Sequence, residues 1–404
     1  MSSASPFAPR TRALSQLLER FLQSQTESTY ARRQHEPGIL DFVLGNPQEP
    51  PLPGIAAAIQ RWSVPQDSHW FAYKLSEPEA QAAVAAALRE RRGIPFAAED
   101  ILMTTGAFAG LANALLALAG EGDEVVFISP PWFFYEAMIV AAGATPVRVR
   151  MQPDTFDLDL EALAAALSPR TRAVIVNSPH NPTGKIYPPA TLERLAALLS
   201  EASQRHGRPI YLLSDESYSR IVYDGRPYPS PVASYPRTLV VYTFGKTLLI
   251  PGQRLGYIAL PPTMPERAEV RLAILLRQVV GGYGFPNAVM QYAVADLEAL
   301  TIDVAHLQRK RDRMVAALRE MGYAVHTPEG TFYLLPRSPW ADDLAFTELL
   351  ATHDIFVLPG AQAEMPGHFR ISLTASDEMI DRALPGFAAA LAHARTHAPA
   401  AADG

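Results

Sequence analysis

DEVVFIS (Asp123–Ser129), FFYEAMIVAA (Phe133–Ala142) and AVIVN (Ala173–Asn177) are the segments on which the fold turns. The first and third are short, continuously apolar and rich in β-branched residues, the pattern of strands buried on both faces. The segment between them reads as an amphipathic helix. The alternation continues through an Ala/Leu-rich stretch at Thr191–Gln204 and an apolar run at Ile210–Ser214. Strands alternating with helices between about residues 100 and 260 predict an α/β fold, with a mainly parallel central sheet covered by helices on both faces.

After Pro286 the pattern changes to one long helical stretch that Gly322 ends just past Met321. Short strands are expected at Thr331–Leu335, Ile355–Val357 and Phe369–Leu373, before a last helix from Ser376 to Ala394. This describes a second, smaller α+β domain, which a helix near Arg12–Gln23 is expected to join. The division predicted is an N-terminal arm with part of the small domain over 1–48, a large domain over 49–285 and the small domain over 286–404. The tail HAPAAADG (397–404) is expected to fray.

At 404 residues the chain exceeds the about 250–300 residues at which single cores stop growing, which favours two domains. Its 48% hydrophobic and 19% charged residues are the balance of a globular enzyme. A net charge of −6 with scattered basic residues argues against nucleic acid as a partner. No apolar run has membrane-spanning length, and MSSASPFAPRTR lacks the apolar core of a signal peptide. The chain has no cysteine, which excludes disulfides and thiolate chemistry and fits a reducing compartment. The expected location is the cytoplasm, and no metal site is expected.

The chemistry is concentrated in TFGKTLLIPGQRLGY (Thr243–Tyr257). Lys246 lies between a strand-like run and a Gly/Pro-containing loop, where a partly buried amine can condense with an aldehyde. Arg254, eight residues on, offers a bidentate fork for a phosphate, and Thr243 a hydroxyl. An isolated lysine and arginine at this spacing would more often be a surface pair, so the weight comes from what accompanies them. Upstream, LLSDESYSRIVY ends a strand in Asp215, a carboxylate suited to a protonated ring nitrogen, with Tyr218 three residues later as a donor to a phenolic oxygen. By itself Asp215 reads equally as a helix cap. VIVNSPHNPTGKIY holds Asn181 rigidly at another strand end, and MTTGAFAGLANAL sets Gly106, Ala107 and Phe108 at a helix start, where free amides attract phosphate. Trp132 in SPPWFFYEAM offers a flat face for an aromatic ring, or simply fills core.

Taken in order, LGNP around Gly45, TTGA (104–107), Trp132, NPTG (181–184), DESY (215–218), FGK (244–246), Arg254 and FRISL (369–373) resemble the fold-type I pyridoxal 5′-phosphate (PLP) enzymes, specifically the class I/II aminotransferases of the aspartate and aromatic type. The resemblance covers most of the chain. It implies that Lys246 holds PLP as a Schiff base and acts as acid and base, that Asp215 pairs with the ring nitrogen, and that Asn181 and Tyr218 hold the phenolic oxygen. Gly106, Ala107, Phe108, Thr243 and Arg254 would bind phosphate, Trp132 would stack on the ring, and Arg370 would clamp the substrate α-carboxylate beside Gly45 and Asn181. Two departures stand out. Tyr73, which in the family reaches the partner subunit's phosphate, is followed by KLSEPEAQ without the usual glycine and Leu-Arg pair. QVVGGYGFPN (278–287) carries glycines where small hydroxyl residues are usual on the substrate side, with Tyr283, Phe285 and Tyr333 as possible wall residues. The implied function is amino transfer from an L-amino acid to a 2-oxo acid by a ping-pong mechanism, in a homodimer. A lyase, cyclase or oxidase on the same scaffold is the rival, and a PLP-fold regulatory sensor the remote one.

Overall fold

The computed structural model describes residues 6–397; residues 398–404, part of the tail expected to fray, lie outside it. Strands are numbered along the chain. β1 is Leu40–Asp41, followed by β2 (Ile101–Thr104), β3 (Glu124–Ser129), β4 (Thr145–Arg150), β5 (Thr171–Asn177), β6 (Tyr211–Asp215), β7 (Thr238–Thr243) and β8 (Gly256–Ala259). Beyond these come β9 (Tyr333–Leu334), β10 (Ile355–Phe356), β11 (Leu358–Pro359) and β12 (Phe369–Ser372).

Seven strands form one sheet in the order β2-β8-β7-β6-β5-β3-β4. All pairings among β3 to β7 are parallel, and only β8 runs against its neighbours β2 and β7. Every residue of β3, β6 and β7 is buried, which explains why their sequences lack alternation, whereas the edge strand β4 carries exposed residues at Thr145, Arg148 and Arg150. Helices cover both faces. Ala107–Leu118 and Tyr135–Ala142 pack with Phe127, Ile175, Leu213 and Val241 on one side, while Pro189–His206 packs with Val126, Val174 and Leu212 on the other. Each such aliphatic side chain contributes roughly 1.5–3 kcal/mol on burial.

β11, β12 and β9 make a small antiparallel sheet, and β1 pairs with β10 in parallel. Around them Leu40, Phe42, Phe346, Ile371 and Phe387 form a separate core with the helices Val304–Met321 and Asp377–Thr396.

Several elements differ from expectation. The long helix after Pro286 is instead three: Ala288–Tyr292, Val294–Ala299 and Val304–Met321. Leu300 turns extended, and Asp303 restarts the helix by accepting a hydrogen bond from the backbone N–H of His306, 2.8 Å away. Met290, Val294 and Leu297 pack with Val84, Leu88 and Tyr257, beside the large sheet. The N-terminal helix, Pro9–Thr26, likewise goes to the large sheet's side, where Phe21 stacks on Phe133 at 4.9 Å. The helix Arg267–Val280, with no counterpart among the expected elements, buries Val270 and Ile274 against the core around Ala107–Leu118.

Candidate functional site

β5, β6 and β7 end side by side, with Asn177 opposite Asp215 in register, so the loops that follow them open at one edge of the sheet. In parallel α/β sheets this C-terminal edge is where ligands bind. A cavity of about 280 Å³ lies there, closed on its other side by Tyr333 and Arg370 of the small sheet.

At its wall, β7 runs into the short helix Phe244–Thr247, and the Thr243 hydroxyl caps that helix by accepting from the Gly245 N–H at 3.1 Å. This places Lys246 in the cavity with its Nζ 5.7 Å from the centre of the Phe332 ring. A Cβ on Gly245 would sit 3.1 Å from Pro251 Cα, so a larger residue would press the loop outward.

Asp215 is 5% exposed and accepts three hydrogen bonds: from the Tyr135 hydroxyl at 2.6 Å, the Ser217 hydroxyl at 2.6 Å and the Ser217 N–H at 3.1 Å. Burial pushes its carboxyl above the ordinary value, against the pull of these donors toward the charged form. A cation facing it would complete the balance. Asn177, at the end of β5, donates to the Asp215 carbonyl at 2.9 Å and accepts from the Asn181 N–H at 2.8 Å, locking the two loops together.

Gly106, at φ +88°, precedes the helix Ala107–Leu118, whose first residues, Ala107 and Phe108, line the cavity, and a helix start leaves its first amides without intrahelical partners. A Cβ on Gly106 would come within 3.0 Å of Arg254 Nη2, so the glycine lets the guanidinium close over that helix start. Arg254 also donates to the Pro251 carbonyl at 2.8 Å. Amides, a guanidinium and the Thr243 hydroxyl thus converge as in a phosphate site.

Arg370 is 3% exposed and donates to Asn181 Oδ1 at 3.1 Å and to the Val43 carbonyl at 2.8 Å. Its Nε is buried without a partner, an orphan donor that an added carboxylate would satisfy. The guanidinium lies 4.1 Å from the centre of the Tyr333 ring. A Cβ on Gly45 would stand 2.7 Å from the Tyr333 hydroxyl, so only glycine leaves this pocket open. Tyr218 is buried with its ring edge-on to Tyr333 at 6.0 Å, and against burial the nearby Lys246 and Arg370 charges hold the Tyr333 phenol below its ordinary value.

The residues picked out in the sequence at 45, 107, 108, 132, 181, 215, 218, 243, 246, 254 and 370 therefore all line one cavity. Tyr73 does not. It is 87% exposed, with its ring against Phe285 at 4.8 Å. Tyr135, Asn177 and Ser217 were not picked out, although Asn177 ends an apolar run as Asp215 does. The orphaned Arg370, the phosphate cradle and the lysine at a strand end fit PLP.

The family model for aminotransferase class I and II matches residues 37–387. The chain belongs to this family. The aminotransferase is 30% identical over 400 residues to the aspartate/prephenate aminotransferase of Thermus thermophilus, covering 95% of this chain and all of that one. Among solved structures it resembles an amino transferase from Eubacterium rectale with a TM-score of 0.85, at 30% identity over 96% of this chain and 98% of that one. The Thermus thermophilus aspartate aminotransferase with maleate matches with a TM-score of 0.78, at 30% identity over 96% of this chain and 100% of that one. The fold is accordingly fold-type I, the cofactor is PLP, and the reaction moves an amino group between amino and 2-oxo acids. The relatives' names favour amino transfer over the lyase alternative. Among the described residues, no helix is long and apolar enough to cross a membrane.

Proposed function

We propose that Lys246 carries the cofactor and moves the proton in an L-amino acid:2-oxo acid aminotransferase, with Asp215, Asn181, Tyr218, Arg254 and Arg370 holding the reactants around it. The observation that carries this reading is Lys246 and Arg370 facing one cavity, beside a buried carboxylate held by three donors. When bound, PLP supplies the electron sink for the carbanion formed at the substrate Cα. Arg370 Nε and its neighbouring nitrogens orient the α-carboxylate, which places the Cα–H toward Lys246 Nζ. Lys246 Nζ takes that proton and later returns one, the positioned acid/base step that typically contributes about 10²–10⁴-fold. Buried Asp215 keeps the charge opposite a ring nitrogen, Asn181 and Tyr218 hold a phenolic oxygen, Trp132 covers one face, and Gly106, Ala107, Phe108, Thr243 and Arg254 grip phosphate. The relatives' names make aspartate and prephenate the first substrates to try.

The same reading places the enzyme in the cytoplasm and makes it a homodimer. Exposed Leu272, Leu276, Val279, Val280 and Phe285 support the second point, since an apolar patch of this kind suits an interface. Exposed Tyr73 beside Phe285 then serves a neighbouring copy's phosphate. It also takes the chain as a large domain over 49–285 and a small one over 286–404 with the 1–48 arm, supported by the separate core around Phe42, Phe346 and Phe387, although the helices Pro9–Thr26, Ala288–Tyr292 and Val294–Ala299 pack on the large sheet's side.

The test is the visible spectrum of the purified protein with PLP. The absorption band should bleach with an amino donor and return with a 2-oxo acid, and Lys246→Ala should keep some cofactor yet lose turnover. Full amino transfer by Lys246→Ala would overturn the assignment, and a band that bleaches without returning would point to a lyase.

A further inference from the structure

We propose that Arg92, which lies outside the cavity, is a positioning residue for the cofactor: paired with Glu216, it cancels the negative charge buried directly beside Asp215 and so leaves the Asp215 carboxylate to the ring nitrogen. The inference rests on the role given above to Asp215.

Within DESY (215–218), Asp215, Ser217 and Tyr218 line the cavity and Glu216 does not. Glu216 is fully buried, with its N–H bound to the Val241 carbonyl at 2.9 Å. Its carboxylate accepts from the Arg92 guanidinium, from the Ser214 hydroxyl at 3.0 Å and from the Ser230 hydroxyl. Arg92 ends the helix Pro78–Arg92, where a cation is favoured, and its other terminal nitrogen donates to Ser230 Oγ at 2.6 Å. Its side chain is only 12% exposed, so water and salt do little to screen the pair. Tyr228 and Tyr257, the titratable groups that adjoin it, are phenols that burial keeps neutral. The Tyr228 hydroxyl donates in turn to the Ser178 carbonyl at 2.9 Å, and the Ser178 N–H to the Asp215 carbonyl at 3.2 Å, so the pair is built into the loops that carry Asp215.

Burial first, and then the Glu216 charge, push the Asp215 carboxyl upward, against its own donors. With Arg92 in place, Arg92 and Glu216 sum to zero. Without it, two adjacent buried carboxylates resist being ionised together, and a proton shared between them is partly held by Asp215. That share weakens the grip on a protonated ring nitrogen. Tyr135 and Tyr218, the phenols beside Asp215, stay neutral at their raised values and do not compensate. Lys246, Arg254 and Arg370 line the cavity itself and are untouched, so the loss falls on the ring nitrogen rather than on phosphate or carboxylate.

The full-length chain, stripped of cofactor, is titrated with PLP and with an analogue carrying carbon in place of the ring nitrogen, and the ratio of the two affinities is read. R92M is expected to lower the preference for PLP about 10-fold, which is one unit in the proton affinity of Asp215. R92M/E216Q, with both charges removed, is expected to return the preference to within about 3-fold of wild type although the ion pair is gone. An equal loss of both ligands in R92M means that Arg92 merely supports the fold and overturns the proposal, as does an unchanged preference. If R92M does not fold, R92M/E216Q decides, and a preference about 10-fold below wild type there overturns it as well. Wild-type protein that binds both ligands alike removes the role of Asp215, and that of Arg92 with it, whereas amino transfer itself stands or falls on the bleaching and return of the cofactor band.

Discussion

Tyr135 donates its phenol proton to Asp215 across 2.6 Å, joining the helix over β3 to the end of β6 through a bond buried at both ends. Hydrogen bonds to a charged group are worth about 1.5–3 kcal/mol. Tyr135→Phe should therefore lower cofactor affinity or turnover by roughly 10–100-fold while the fold survives. PLP titration and kcat/KM would check this, and wild-type values for both would remove Tyr135 from the site. Burial raises the Asp215 carboxyl, so its ionised form opposes folding of the cofactor-free protein. Asp215→Asn should thus melt higher than wild type without PLP near neutral pH, and turn over far more slowly with it.

Arg370 holds its fork in place through Asn181 and Val43 while Nε stays free. A lysine there keeps the charge and loses the planar fork. Arg370→Lys is expected to lower kcat/KM for the amino acid about 10–100-fold, mostly through KM, with PLP affinity little changed. An equal loss of PLP affinity would mean that Arg370 organises the cofactor rather than the carboxylate.

Gly256 opens β8 where it crosses the phosphate cradle. A Cβ there would run into the Tyr242 carbonyl and stand 3.0 Å from Gly106 Cα. Gly256→Ala is expected to displace the Gly106 turn, weakening PLP binding and lowering stability by about 1–3 kcal/mol through overpacking. Cofactor titration and denaturant melts would show both effects. An unperturbed variant would mean that the two backbones separate freely.

His180 is buried between the site loops, with Nδ1 3.0 Å from the Thr183 hydroxyl, and burial lowers its pKa to about 3. The unfolded chain takes up this proton below its ordinary value of about 6.5, while the folded protein resists until far lower. The contribution is complete above about pH 6.5 and is lost as pH falls toward 3. Between pH 6.5 and 4.5 wild type should lose about 2–3 kcal/mol more than His180→Asn, at 1.36 kcal/mol per pH unit. Urea denaturation of both at the two pH values measures the difference, and parallel slopes would mean that His180 titrates normally.

The candidate site was unusually legible because its residues stand where local sequence changes character. Asn181, Asp215 and Lys246 each follow an apolar run, and a run that stops at a polar residue marks the C-terminal end of a parallel strand. Tyr135 was not legible. In WFFY four aromatics stand in a row, and nothing local separates the ring that meets Asp215 from those that wall the cavity or stack on Phe21. The break at Leu300–Asp303 was missed because the hydrophobic spacing carries on across it, whereas the Asp303 cap is a single side-chain bond.

By itself, the sequence determined the alternating α/β pattern, the buried strands and the motif residues at their ends, since these depend on burial and backbone preferences acting over a few neighbours. The tertiary structure alone decided the strand order β2-β8-β7-β6-β5-β3-β4, the packing of the N-terminal helix against Phe133, the exposure of Tyr73 and the pairing of Tyr135 with Asp215. Each of those depends on contacts between segments far apart in the chain, and local periodicity, which reports that a face is buried, is silent on what buries it.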